Sequence, residues 1–285
     1  MKLLAECSQK EMLYLNSVDG IILPLEGFSV ESVLSFSMNE IQKIKKESSC
    51  EVFVKLNKNF MNEDIETLKD VLIQLDQFKI DGVFFYDLAV LQLKKELHLT
   101  IPLIWNQTHM VNNVKTCNYY YSKGVEYALI GKEITLEEIH EILDGTSMQI
   151  MVEVVSRPSV AFSKRSLISN YYHDLGKEGK KSLKITEGVS NRSFQLLENE
   201  DGTSFFLDRI TNGVGVIHDL FEWGTSYIIM REYGIEDIFQ ELISDTKEYI
   251  MNGCKDSFYV EKYQKLGDYT NFFFQKTIYR VKKNG

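Results

Sequence analysis

Three runs, Glu51-Val52-Phe53-Val54-Lys55-Leu56-Asn57, Gly82-Val83-Phe84-Phe85-Tyr86-Asp87 and Pro102-Leu103-Ile104-Trp105-Asn106, decide the fold. Each is short, rich in β-branched and aromatic residues, and closed by a polar residue, as a strand buried on both faces should be. Helical periods separate them. Asn62–Phe78 places Ile65, Leu68, Val71, Leu72 and Leu75 on one stripe, and Leu88–Leu97 follows the second run. Strand, helix and strand in this order imply parallel pairing with helices covering the sheet.

The same beat extends outward. Lys2–Glu6 and Gly20–Leu25 read as strands before the first run, with helices over Gln9–Ser17, capped by Ser8, and Met38–Glu47. After Asn106 come a helix near Val114–Lys123, a strand over Glu126–Gly131, a helix over Leu136–Leu143 and a strand over Gln149–Val155. Seven βα steps in about 155 residues, with no Gly-x-Gly-x-x-Gly turn, favour a closed barrel over an open dinucleotide-binding sheet.

The pattern then breaks. Ser163–His173 reads as a helix and Gly176–Lys184 as a polar loop, while Ser193–Leu197 and Ser204–Asp208 flank the turn signal Asn199-Glu200-Asp201-Gly202. Tyr227–Arg231 and Ile235–Met251 supply an eighth unit, and an aromatic tail, Phe258–Lys283, packs across the barrel. The expectation is one domain over residues 1–285, a TIM-barrel-like (β/α)₈ fold. Residues 1–155 form seven units, 156–225 a helix, basic loop and β-hairpin insertion before the last strand, and 226–285 the last unit and tail.

Composition narrows the function. The chain has 285 residues, 44% of them hydrophobic and 26% charged, the ordinary globular range. No apolar run reaches the ~18 residues of a membrane span, and the N-terminus lacks a signal peptide's apolar core, so the expected place is the cytoplasm, with no membrane partner. Cys7, Cys50, Cys117 and Cys254 are widely spaced with no Cys-x-x-Cys, which argues against a disulfide scaffold, a zinc ribbon or a self-contained iron–sulfur site, and no metal ligands are assigned. The five histidines are isolated, and His140-Glu141 lacks the second histidine of a zinc-hydrolase helix. A net charge of −9 disfavours broad nucleic-acid binding, yet Ser163–Lys184 holds six basic residues against two acids. Lys164, Lys177, Lys180 and Lys181 are therefore candidate RNA contacts, against the common alternative of a solvated face.

Barrel sites lie at the C-terminal ends of the strands. The polar residues there are Glu6, Asn57, Asp87, Asn106, Gln107, Thr108 and Glu153. Carboxamides at Asn57, Asn106 and Gln107 suit an oxygen-rich small molecule, or they cap the following helices. Arg157, Ser163 and Arg165 follow Glu153, and forked guanidinium donors there match carboxylate or phosphate oxygens. No catalytic nucleophile is identified.

Glu153-Val154-Val155 followed by Ser163-Lys164-Arg165-Ser166-Leu167-Ile168-Ser169-Asn170-Tyr171-Tyr172 resembles the signature segment of peptidase family U32, the collagenase-like proteins. Leu103-Ile104-Trp105-Asn106-Gln107-Thr108, Thr116-Cys117-Asn118-Tyr119-Tyr120 and the tail from Lys276 to Lys283 are similar to that family's short Gram-positive branch. The resemblance implies either a collagen-degrading hydrolase or a part in oxygen-independent hydroxylation. For the short branch it implies tRNA wobble-uridine 5-hydroxylation with prephenate as co-substrate, beside a longer paralogue that carries an iron–sulfur cluster. A noncatalytic partner role is the third reading. Three departures mark this chain: Ser166 stands where many relatives have a cluster cysteine, Ser29-Val30-Glu31 where they have Gly-Leu-Arg, and Arg157-Pro158 where they have His-Gly. An iron–sulfur cluster bound by this chain alone is not expected.

Overall fold

The computed structural model describes residues 1–10, 17–107, 110–132, 134–189 and 191–266. Most of the expected helix over Gln9–Ser17, together with Thr108 and the tail beyond 266, lies outside the described residues.

Eight parallel strands close on themselves: β1 (Lys2–Glu6), β2 (Gly20–Pro24), β3 (Glu51–Leu56), β4 (Gly82–Phe85), β5 (Leu103–Trp105), β6 (Tyr127–Leu129), β7 (Gln149–Ser156) and β13 (Tyr227–Arg231). They pair in that sequence, β13 returns to β1, and β6 and β7 join to complete the barrel. The helices α1 (Met38–Glu47), α2 (Ile65–Gln77), α3 (Leu88–Glu96), α4 (Val114–Ser122), α5 (Leu136–Gly145) and α8 (Glu236–Met251) follow strands of the barrel.

Local chemistry starts these helices where they are needed. Ser37 and Glu40 form a capping box on α1, and Thr135 and Glu138 do the same on α5. Asp87, read as a candidate site residue, is committed elsewhere. Its carboxylate accepts from the Ala89 amide at 2.9 Å, capping α3, and from the Phe60 amide at 3.0 Å.

Strand alternation sorts the side chains into two layers. One apolar residue from each barrel strand fills the interior: Leu4, Ile22, Phe53, Phe84, Ile104, Leu129, Met151 and Ile229. The alternate residues face the helices, where the α2 stripe of Leu68, Val71, Leu72 and Leu75 is buried. Two positions beyond the interior layer, toward the C-terminal ends, the same alternation gives Glu6, Pro24, Lys55, Tyr86, Asn106, Gly131, Glu153 and Arg231, four of them charged. The interior thus changes from apolar to charged within one layer.

Between β7 and β13 the chain builds a second sheet from β8 (Ser159–Ser163), β9 (Ser182–Thr186), β10 (Ser193–Asn199) and β11 (Gly202–Leu207), in the order β8-β11-β10-β9. α6 (Leu167–Asp174) lies within it in sequence, and β12 (Thr211–Asn212) then pairs antiparallel with β7. The short α7 (Ile217–Glu222) precedes β13, and α9 (Ser257–Tyr263) follows α8.

The hairpin forms at the expected turn, with Asn199 opposite Gly202. Gly202 sits at φ +140°, and a Cβ there would lie 2.1 Å from the Ser163 carbonyl, so the close passage of β8 requires glycine. Two expectations need correction. The helix starts at Leu167 instead of Ser163, because Ser159–Ser163 pairs with β11 as a strand. The loop over Gly176–Lys184 ends in β9, where Leu183 and Ile185 alternate with polar residues against β10.

Candidate functional site

A cavity of about 360 Å³ opens at the C-terminal mouth of the barrel. Its floor carries Glu6, Lys55, Asn106, Lys132 and Arg231, and Leu129 from the layer below. Its other wall is the inserted sheet, through Pro158–Phe162 of the β8 segment and Phe206 of β11, with Tyr233 just past β13. One side of the cavity is therefore ionic and the other largely apolar and aromatic.

The floor is a linked chain of charges. Lys132 Nζ lies 2.8 Å from Glu153 Oε1, and Arg231 Nε donates to Glu153 Oε2 at 2.6 Å. Arg231 Nη1 donates to Glu6 Oε2 at 2.7 Å, and Lys55 Nζ reaches Glu6 Oε1 at 3.3 Å. Ser156 Oγ adds a hydrogen bond to Glu153 Oε1 at 2.5 Å. Burial opposes ionisation of Glu153, but Arg231 and Lys132 outweigh it and hold the carboxyl well below the usual carboxylate range. Burial likewise opposes the Arg231 charge, and Glu153 and Glu6 more than restore it. Lys55 is lowered by burial, with Glu6 and Glu31 pulling the other way and Arg231 adding to the lowering.

The expected site residues divide. Asn57, Asn106 and Arg157 line this one cavity, and Glu153 lies directly behind it through Arg231 and Lys132. The Asn57 carboxamide is already spent, accepting from the Val30 amide at 2.9 Å and donating to the Val30 carbonyl at 3.0 Å. Asn106 is buried, and its Oδ1 has no hydrogen-bond partner. Gln107 donates to the Tyr86 carbonyl at 2.5 Å and does not line the cavity.

Arg157 stacks over the Tyr233 ring, 5.2 Å from its centroid, with Nη1 3.2 Å from the Leu207 carbonyl and 3.4 Å from Asp208 Oδ1. Its Nε is buried without a partner. Gly234, at φ +92°, makes room for this guanidinium, since a Cβ there would come within 2.4 Å of it. Ser163 and Arg165 stand outside the cavity wall; Ser163 Oγ accepts from the Arg165 amide at 3.2 Å, and the Arg165 side chain is exposed.

Lys164 reaches the cavity edge, whereas Lys177, Lys180 and Lys181 lie on the exposed surface of the insertion. Lys181 pairs with the buried Glu198 at 2.6 Å. The sequence reading passed over Lys55, Lys132, Arg231 and Tyr233. For Lys55 and Arg231 a signal existed: each is a cation two residues past an interior apolar position of its strand.

A parallel eight-stranded βα barrel with a charged mouth, roofed by an inserted sheet, is the class of protein these observations define. The chain belongs to peptidase family U32, whose sequence model matches residues 6–241. It is 26% identical over 271 residues to "tRNA hydroxylation protein P2" of Bacillus subtilis (strain 168), covering 86% of this chain and 87% of that protein. Solved structures that align with it include a U32 peptidase at 14% identity, covering 55% of this chain and 70% of that one, with a TM-score of 0.47. Another is 3-hexulose-6-phosphate synthase from Salmonella typhimurium, at 11% identity over 89% of this chain and all of that one, with a TM-score of 0.48.

Proposed function

We propose that this chain takes part in tRNA uridine hydroxylation, holding a small carboxylate such as prephenate in the barrel mouth while its insertion meets the RNA. The observation that carries the reading is one cavity bounded by Lys55, Lys132, Arg157 and Arg231 beneath a sheet whose exposed loops carry further lysines. The named function of the Bacillus relative supports it. Guanidinium and ammonium groups recognise carboxylates, and the apolar wall accommodates the carbon skeleton. A longer U32 paralogue supplies whatever cluster chemistry the reaction needs.

The peptidase reading lacks such support. Burial, with Glu232 and Glu6 adding, pushes the Cys7 thiol beside the cavity up to about 12, so it stays protonated at neutral pH. No histidine among the described residues lines the cavity to activate a hydroxyl.

Nucleoside mass spectrometry of tRNA from a strain lacking the gene, its parent and complemented strains tests the proposal. The deletion should lose 5-hydroxyuridine and its derivatives, the intact gene should restore them, and Arg157→Ala should not. Unchanged tRNA in a strain that also lacks the paralogue would refute it.

A further inference from the structure

Lys55 is unusual among the mouth residues. Its side chain is almost wholly enclosed, yet it borders the cavity. Its Nζ has Ser32 Oγ at 2.9 Å, Glu6 Oε1 at 3.3 Å and the Glu31 carbonyl at 3.4 Å. The charged groups facing it are Glu6 from β1, half-buried Glu31 from the loop after β2, and Arg231 from β13. Arg231 grips the other oxygen of Glu6 at 2.7 Å, so Lys55 has the longer, weaker share of that carboxylate. An arginine keeps its proton under all ordinary conditions, whereas a lysine can release one. A releasable amine, a shared carboxylate and an adjoining cavity are the parts of an imine-forming site.

We propose that Lys55 forms a Schiff base with the ketone of a 2-oxo acid bound in the cavity. This rests on the carboxylate-binding reading above and adds a covalent step to it. Neutral Nζ attacks the carbonyl carbon, forming the C–N bond while the C=O π pair moves to oxygen. Glu6 relays both protons that nitrogen sheds: the first goes to the alkoxide to give the carbinolamine, and the second to its hydroxyl as the nitrogen lone pair forms C=N and the C–O bond breaks. Amine and ketone thus become imine and one water, with no oxidant or reductant consumed. Burial lowers Lys55 below the ordinary lysine range and enlarges the neutral fraction. Arg157, which lines the same cavity, meets the carboxylate, and Phe162, Phe206 and Tyr233 offer an apolar surface to the remainder. An aromatic 2-oxo acid should therefore bind ahead of a small one.

The test incubates the full chain with pyruvate or phenylpyruvate and sodium cyanoborohydride, then maps reduced adducts by peptide mass spectrometry. One adduct per chain is expected, on Lys55, with phenylpyruvate outcompeting pyruvate and malonate blocking both. Lys55→Arg should remain unlabelled. An unmodified Lys55 in the wild type, or label spread over exposed lysines, overturns the proposal even if the variant fails to fold. Thermal shift with malonate separates the two levels. Stabilisation without a Lys55 adduct refutes the imine and leaves the carboxylate reading standing; neither effect removes both.

Discussion

Glu153 holds the mouth together because Arg231 at 2.6 Å and Lys132 at 2.8 Å converge on its two oxygens in a buried setting. Removing one partner of a buried ion pair strands the other charges at a cost of about 3–5 kcal/mol. Glu153→Gln should lower stability by that order in urea unfolding at neutral pH. The pH dependence has a definite sign. The folded carboxyl is held below its unfolded value of about 4.3, so its contribution is complete above that value and disappears as pH falls through the folded one. The gap between wild type and variant should therefore close on acidification. A second residue-scale outcome concerns Gly234→Ala, where a Cβ would collide with the Arg157 guanidinium and φ of +92° is itself strained. About 1–3 kcal/mol of destabilisation is expected, with weaker malonate binding by calorimetry as Arg157 leaves the Tyr233 ring. At this scale the sequence was half legible. Polar residues at strand ends pointed to Asn106, Glu153 and Arg157, but Asn57 proved to be a loop clamp. Lys55 and Arg231 carried a signal in their spacing from an interior apolar residue, but which face of the strand is interior is fixed only when the barrel closes.

Among the elements, the inserted sheet depends on contacts remote in sequence. α6 has only eight residues, and Ser166 gives it no side-chain cap. Its first amides are taken by β10 and β11: Leu167 donates to Thr203 Oγ1 at 3.0 Å, and Ile168 and Ser169 donate to Glu198 at 2.7 and 3.0 Å. Burial opposes the Glu198 charge, but Lys181, Ser169 and these amides hold its carboxyl at about 2. Glu198→Ala should cost about 2 kcal/mol, the scale of a hydrogen bond to a charged group. Amide exchange should quicken at 167–170 and stay slow in β1–β7. The same dependence explains which elements the sequence disclosed. The barrel strands are apolar on both faces and announce themselves, and the Asn199–Gly202 turn fixes its hairpin locally. β8 and β9 do not, since their exposed residues dilute the alternation and only pairing with β11 and β10 makes them strands.

For the whole molecule the deciding quantity is how charge is distributed. Residues 157–212 hold nine Lys and Arg against seven Asp and Glu, a net +2 within a chain of −9, so the remainder carries −11. Among the seven acids, Glu198 is buried, Asp201 pairs with Lys58 at 3.1 Å, and Asp208 is held low by Lys184, with Gln195 and Arg157 adding. Lys164, Lys177 and Lys180, in contrast, are exposed, as is Tyr171 on α6. A polyanion approaching this protein is repelled by the barrel body and attracted by the roof of the cavity, which orients it before contact. If tRNA docks there, reversing Lys164, Lys177 and Lys180 to Glu should weaken tRNA binding, and the slope of log affinity against log salt should flatten by about 2, near 0.7 per lost phosphate contact on single-stranded RNA. Fluorescence anisotropy across a salt series measures both. Malonate binding in the mouth should be unaffected by Lys177→Glu and Lys180→Glu, which stand outside the cavity, and should weaken with Lys164→Glu, which borders it. An unchanged salt slope in the triple variant would place the RNA on another face of the molecule and uncouple the roof from substrate recognition.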